Sequence, residues 1–346
     1  MSADQSLSMP RRADHAGAWL WLIPAFASLL YPWILASAQQ QFHAHHAGAG
    51  AALLLASALP TVLAIACAAV MARKLLLTPI RRLGLELCCL YAATPPAFTL
   101  LGVLLYLMRI DGIDDATWTG AWSALTAYGA LRMATHETGA PRILLTDRPR
   151  SLLPALHGIS ALLLLTLFLG PHIVNHLLGL LGEDVHRDVM TWLRHFYRNA
   201  AVQPALVAVF GFQVISGLVL LCQPQSQPIS PFQVLQRASG LYLAVFIPAH
   251  LNSVFNLARR NGVETDYAWA TGQPAGLLDD AWNIRLVPHY ALAILLLAIH
   301  LACAVRVVLM AHGVRERTAN GWAWILMLAG GVLDAAVLAG MLGMRL

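Results

Sequence analysis

The stretch that decides the fold is LPALHGISALLLLTLFLGPHIVNHLLGLL, residues 153–181, which contains no Asp, Glu, Lys or Arg. A helix needs about 20 apolar residues to cross the hydrocarbon layer, because every backbone polar group must be hydrogen-bonded within the segment. The chain of 346 residues is 58% hydrophobic and 11% charged, whereas soluble domains carry about a quarter charged residues. The sequence therefore predicts an all-α protein, a polytopic transmembrane helix bundle.

Working outward from residues 153–181, similar apolar runs predict about nine spans. They are placed at about 19–37, 50–71, 85–108, 118–133, 153–181, 201–221, 239–258, 286–310 and 321–343. The fourth is the least apolar, and the Thr94–Pro96 run is expected to kink the third, because proline removes a backbone hydrogen bond. A loop at about 182–200 has an amphipathic pattern and is expected to lie at the membrane interface.

The basic residues indicate orientation and partners. Arg11 and Arg12 precede the first span, and the positive-inside rule then places the N-terminus in the cytoplasm. Arg142, Arg148 and Arg150 fall on the same side and support this orientation. We expect an integral protein of a bacterial cytoplasmic (inner) membrane. The basic residues lie beside helix ends, so the lipid bilayer and its headgroups are the expected partner and nucleic acid is not.

Two segments of the C-terminal half resemble each other. LHGISALLLLTLFLGPHIVNH (156–176) and LQRASGLYLAVFIPAHLNSVF (235–255) each contain a Ser, an apolar stretch, a Pro and a His. His172 follows Ser160 by twelve residues, and His250 follows Ser239 by eleven. Each segment is followed by a loop and a returning apolar helix, which predicts a duplicated helix-pair core.

The rise of about 1.5 Å per residue places His172 and His250 at the same depth, in the outer half of the membrane. Two imidazoles facing each other across a bundle are what a six-coordinate haem iron requires. The metal ligands predicted for the haem iron are therefore His172 and His250. His176 lies one turn beyond His172 on the same face and is the alternative ligand. The competing interpretation is that these histidines form hydrogen bonds between helices.

Three further histidines lie in predicted spans. His157 is near the cytoplasmic end of its helix, while His289 and His300 lie near the outer and inner ends of the eighth span. The five cysteines form no CxxC or CxxCH pattern, which argues against an iron–sulfur centre and against covalently attached haem.

The sequence of residues 235–250, LQRASGLYLAVFIPAH, resembles the first-helix signature of the cytochrome b-type membrane anchors of succinate dehydrogenase and fumarate reductase. AIHLACAVR (298–306) is similar to the second-helix pattern, and the resemblance covers about 151–312. It implies haem b, with His172 and His250 on an outer haem and His300 on a second, inner one. Gln213 stands where the inner haem's other ligand is expected, and His157 is a candidate substitute. The resemblance also places Arg237 and Ser239 near a quinone headgroup and haem propionates.

The expected organisation has three regions: 1–150, an N-terminal four-helix transmembrane region of unknown role; 151–320, the haem-binding four-helix core; and 321–346, a final transmembrane helix. The expected function is a b-type haem membrane subunit that relays electrons between a quinone pool and a soluble or peripheral oxidoreductase subunit. It would not itself be catalytic, since the sequence has no flavin, nicotinamide or phosphate-binding loop.

Two alternatives remain open at this point. A proton- or metal-linked transporter would use Asp334, which lies inside the last span, and the cluster His43, His45 and His46. The competing interpretation of this histidine cluster is an ordinary solvated loop without a bound metal. A haem-free structural subunit would use the histidines to pack helices.

Overall fold

A computed structural model of the protein describes residues 17–73, 79–135, 152–223 and 229–346. All regular secondary structure in these ranges is helical. Eleven helices of eight residues or more organise the described chain, and we number them in order. They are α1 Gly17–His43, α2 Ala47–Ala72, α3 Pro79–Tyr91, α4 Thr94–Leu107, α5 Asp114–Thr135, α6 Leu153–Leu181, α7 Glu183–Tyr197, α8 Val202–Cys222, α9 Pro231–Asn261, α10 Asn283–Ala311 and α11 Glu316–Met341.

Seven of these helices are long and apolar enough to cross a membrane: α1, α2, α6, α8, α9, α10 and α11. The pair α3 and α4 makes an eighth if it counts as one span, with a bend of 57° between its halves. The bend lies at the predicted Thr94–Pro96 kink, where Pro95 and Pro96 begin α4. The remaining predicted span corresponds to α5, whose polar and acidic residues leave it less apolar than the others.

α9 is the central helix of the bundle. It packs against α8 and α10 on one side and against α2, α3 and α4 on the other. α6 and α8 lie at the periphery, and α6 exposes Leu156, Ile159, Leu162 and Leu167. An apolar surface of this extent is stable where lipid covers it. Arg11, Arg12, Arg142, Arg148 and Arg150, on which the predicted orientation rests, are outside the described residues.

α7 is the amphipathic helix predicted at 182–200, and it marks one end of the bundle, which we call the α7 end. Leu193 and His186 are buried beneath it, whereas Trp192 and Phe196 are exposed. An exposed tryptophan beside an exposed phenylalanine is typical of a helix that lies at a membrane interface. The segment after α9 also lies at this end and contacts α7 through a short helix, Tyr267–Ala270.

α10 and α11 form the most extensive helix contact, and its closeness depends on one glycine. A Cβ added at Gly330 would overlap the Cβ of Ala298, whereas a Cβ at Gly331 would meet only Leu295 Cδ1 at 3.9 Å. We expect Gly330→Ala to lower the free energy of unfolding by about 1–3 kcal/mol, because the two backbones must separate. Thermal unfolding in detergent measures this. Gly331→Ala is the matched control and should be neutral or slightly stabilising; equal effects of the two would contradict the packing argument.

Candidate functional site

His172 on α6 and His250 on α9 face each other near the α7 end. Their ring centroids are 6.3 Å apart and their planes are inclined at 67°. A metal ion bound to one nitrogen of each of two opposed imidazoles, at about 2 Å per bond, places the ring centres about 6 Å apart. Neither ring makes a hydrogen bond to another residue that the structure describes. The pair therefore has the separation that a six-coordinate haem iron needs.

The facing of these two rings depends on a π-helical turn. In α6, residues Leu165–Leu169 are π-helical and lie between Ser160 and His172. A π turn closes i→i+5 hydrogen bonds and takes up one residue more than an α turn. The twelve residues from Ser160 to His172 thus cover the same rotation as the eleven regular α-helical residues from Ser239 to His250. The apparent mismatch in sequence spacing disappears in the structure.

Each of the two imidazoles is backed by a phenylalanine four residues earlier. Phe168 stacks on His172 at 5.2 Å between ring centroids, and Phe246 stacks on His250 at 5.5 Å. Side chains at i and i+4 share a helix face, so these phenylalanines hold the ring orientations. Neither phenylalanine was predicted as a site residue, although FLGPH at 168–172 and FIPAH at 246–250 share a Phe-x-x-x-His pattern.

The two rings line a cavity of about 320 Å³ enclosed by α6, α8, α9, α10 and α11. Most of its lining is apolar, with Leu206, Phe210, Leu243 and Leu297 among the contributors. α7 and residues 262–270 cover the cavity at the α7 end. A mostly apolar cavity with a few polar groups at defined positions is the usual form of a cofactor site.

His176 and His186 extend the site toward the α7 end. The His172 and His176 ring centroids are 4.8 Å apart, and those of His176 and His186 are 5.3 Å apart. Asn175 Nδ2 lies 3.1 Å from His186 Nε2. Burial, and then the Arg194 guanidinium, lower the pKa of His186 to about 4, so this ring is neutral near pH 7.

His186 was not predicted as a site residue, because the sequence of α7 indicates an interfacial helix. Its signal was a histidine on the apolar face of an amphipathic helix, where Leu193 is the other buried residue. Such a position points a polar ring into the protein rather than toward water. It is one of the 14 histidines of the chain, and spacing alone did not distinguish it.

The histidines at the opposite end are bonded to protein groups. His157 Nδ1 lies 2.8 Å from Ser216 Oγ, and its Nε2 lies 3.4 Å from Gln213 Nε2. Ser160 donates a hydrogen bond of 2.6 Å to Gln213 Oε1. His300 Nδ1 lies 3.2 Å from the Gln236 carbonyl oxygen. Gln213 and His157 are thus neighbours that bond each other.

Three other candidates lie apart from the His172–His250 cavity. His289 contacts Phe246, at 4.6 Å between ring centroids, and this phenylalanine also contacts His250. Ser239 donates its hydroxyl to the Leu235 carbonyl oxygen at 2.7 Å. Arg237 lies thirteen residues from His250, about 20 Å along the helix. The residues three before and four after Arg237 pack against the N-terminal helices, so it is directed away from the cavity.

The groups that the transport alternative would use are also separate from the cavity. His43, His45 and His46 are exposed at the turn between α1 and α2. Asp334 has a buried carboxylate oxygen without a hydrogen-bond partner among the residues described. In the part of the chain that the structure covers, no group of three or more His, Cys, Asp or Glu side chains is arranged to hold a metal ion.

Comparison of the chain with protein-family models, with curated proteins and with solved structures found no match.

Proposed function

We propose that this protein is a b-type haem-containing membrane subunit that relays electrons between a quinone pool and a partner oxidoreductase subunit. The observation that carries the proposal is the 6.3 Å separation of the His172 and His250 rings across an apolar cavity. His172 and His250 would hold the haem iron, and the haem would supply a one-electron redox centre inside the membrane. Phe168 and Phe246 would keep both rings oriented, which limits reorganisation during electron transfer.

The roles of the quinone and the partner rest on the resemblance of residues 235–250 and 298–306 to the cytochrome b-type anchors. A lone haem needs both a donor and an acceptor, and the sequence has no loop for a flavin or a nicotinamide. The resemblance implies a quinone contact at Arg237 and Ser239. Val234 and Leu241, on the same helix face as Arg237, pack against the N-terminal helices, and Ser239 donates to the Leu235 carbonyl oxygen. The quinone contact at Arg237 and Ser239 stays a prediction.

One haem per chain is the proposed content. At the opposite end both nitrogens of His157 contact protein side chains, and Gln213 is bonded to Ser160. A second haem at that end would need His157 or Gln213 as an iron ligand. It would therefore have to break the hydrogen bonds that these side chains make. The same bonds support a structural role for His157 and a hydrogen-bonding role for His300.

A spectrum of the purified full-length protein tests the proposal. We expect a reduced-minus-oxidised difference spectrum with a b-type α-band, because two imidazoles make a low-spin iron. Extraction into alkaline pyridine should give one non-covalent haem per chain. A protein purified from haem-sufficient cells without any haem absorbance would overturn the proposal, and two haems per chain would overturn its stoichiometry.

A further inference from the structure

Three arginines line the mouth of the cavity at the α7 end. Arg194 is on α7, Arg198 directly follows α7, and Arg259 is in the last turn of α9. We call Arg194, Arg198 and Arg259 the cationic rim. Among the described residues that line the cavity, these are the only Arg or Lys side chains. The positive charge of the cavity is therefore concentrated at one end.

The members of the cationic rim differ in their partners. Glu264 pairs with Arg194 at 3.0 Å and with Arg198 at 3.5 Å, and its side chain is 65% exposed. Arg259 donates from Nη1 to the neutral Gln203 Oε1 at 2.9 Å and lies over the Phe255 ring. No described carboxylate pairs with Arg259. Glu264 acts on Arg259 only from beyond ion-pair distance, and the Asp266 carboxylate, which also lines the cavity, acts on Arg194. Among the described residues, Arg259 is therefore the member of the rim that has no ion pair.

Three buried polar atoms of the cavity lining have no hydrogen-bond partner among the described residues. They are Asn175 Oδ1, His176 Nδ1 and His186 Nδ1. Asn175 and His186 are only 4% and 2% exposed. A buried polar atom is costly when it is unsatisfied, so this end of the cavity is built for a polar occupant.

We propose that the cationic rim binds the two carboxylates of the haem held between His172 and His250. This inference rests on the proposed function. The two imidazoles fix the tetrapyrrole between α6 and α9, and both of its carboxylates lie on one edge. A carboxylate in an apolar environment is strongly unfavourable unless it is paired. The edge that carries the carboxylates therefore points to the α7 end, where Arg259 pairs with one of them.

The assignment differs from the one that the sequence resemblance implies. The resemblance places propionate contacts at Arg237, near the start of α9, whereas Val234 and Leu241 on the same helix face pack against the N-terminal helices. Arg259 is at the other end of the same helix, nine residues beyond His250. The segment that carries Glu264 competes with the carboxylates for Arg194 and Arg198, so haem binding would release Glu264 to solvent.

The test compares haemin with haemin dimethyl ester, which has the same ring and iron but no free carboxylates. Full-length protein produced in haem-deficient cells is titrated with each in detergent, and the Soret band gives the dissociation constant. Wild-type protein should bind haemin at least about tenfold more tightly than the diester, because charge-assisted bonds to guanidinium are the strong ones. Arg259→Gln should lose most of that preference, by weakening haemin binding alone.

The matched control is Arg260→Gln, which removes the same charge one residue later on an exposed side chain outside the cavity. It should keep the wild-type preference, and Arg259→Lys should keep most of it. Circular dichroism of the helices and gel filtration establish that each variant is folded. If Arg259→Gln does not fold, Arg194→Gln replaces it in the same comparison of haemin with the diester. If wild-type protein binds haemin and its diester equally, the rim assignment is wrong while the haem function stands. If it binds neither, the proposed function fails.

Discussion

Replacing His250 with alanine is expected to abolish the low-spin haem spectrum and to reduce haem content at least about tenfold. The ring of His250 is one of the two that face each other at 6.3 Å, and alanine provides no group that can bond the iron. His172, the other proposed ligand, would then leave a five-coordinate or empty site. Haem content per chain, measured in alkaline pyridine, and the difference spectrum together report the loss.

Two other histidine replacements make this result specific. His195 is exposed on α7 and lies 2.8 Å from the Thr191 carbonyl oxygen, so His195→Ala should retain both spectrum and haem content. His300→Ala should also retain them, because His300 lies at the opposite end of the bundle, near Gln236 and Ser239. An unchanged spectrum in His250→Ala combined with loss in His300→Ala would move the haem to that end.

Asp114→Asn is expected to destabilise the protein by about 3 kcal/mol, the largest stability effect we anticipate. Asp114 Oδ2 lies 2.8 Å from Arg285 Nη2, whose side chain is 8% exposed. The Arg285 guanidinium also packs over the rings of Phe98 and Trp282, at 4.7 and 4.2 Å. Removing the carboxylate charge leaves a largely buried guanidinium on which the more distant Asp115 carboxylate still acts, and the contact between α4, α5 and α10 weakens.

The matched control for Asp114→Asn is Glu86→Gln. Glu86 pairs with Arg82 at 3.0 Å on the surface of α3, with both side chains more than a third exposed. Such a pair contributes about 0.5 kcal/mol or less, because water and salt screen it. Unfolding in detergent with increasing denaturant gives both free energies. Similar small effects of the two replacements would show that Arg285 is satisfied by its aromatic neighbours alone.

Most of the helices were predicted from the sequence, but about nine spans were expected, whereas seven of the described helices, or eight with the bent pair, are apolar enough to cross a membrane. Apolar runs at 153–181 and 286–310 became the single helices α6 and α10, since long apolar composition is a property of the segment itself. The Thr94–Pro96 kink was confirmed for the same reason, as proline acts on its own turn. The segment at 118–133 forms a helix, but its polar residues leave it outside the set apolar enough to cross a membrane.

The candidate site was predicted only in part. The equal depth of His172 and His250 followed from helix rise, and the structure places their rings together. Gln213 stands at the position where the resemblance implies the second ligand of an inner haem, and the structure shows it bonded to Ser160 and beside His157. The sequence spacing did not identify His186 or Arg259 as cavity residues. His186 lies on α7 and Arg259 lies in the last turn of α9, and only the packing of these elements brings both side chains to the cavity.

By itself, the stretch at 153–181 determined that the chain is built from membrane-spanning helices, because hydrogen bonding within a segment and apolar length are both local. It also placed a histidine at a definite depth. Only the tertiary structure decided which face that histidine presents: the π-helical turn Leu165–Leu169 rotates His172 toward His250. The placement of the two rings against each other depends on the packing of α6 and α9 around one cavity, and so does the position of the arginines at the cavity mouth. Contacts between segments far apart in sequence decided both.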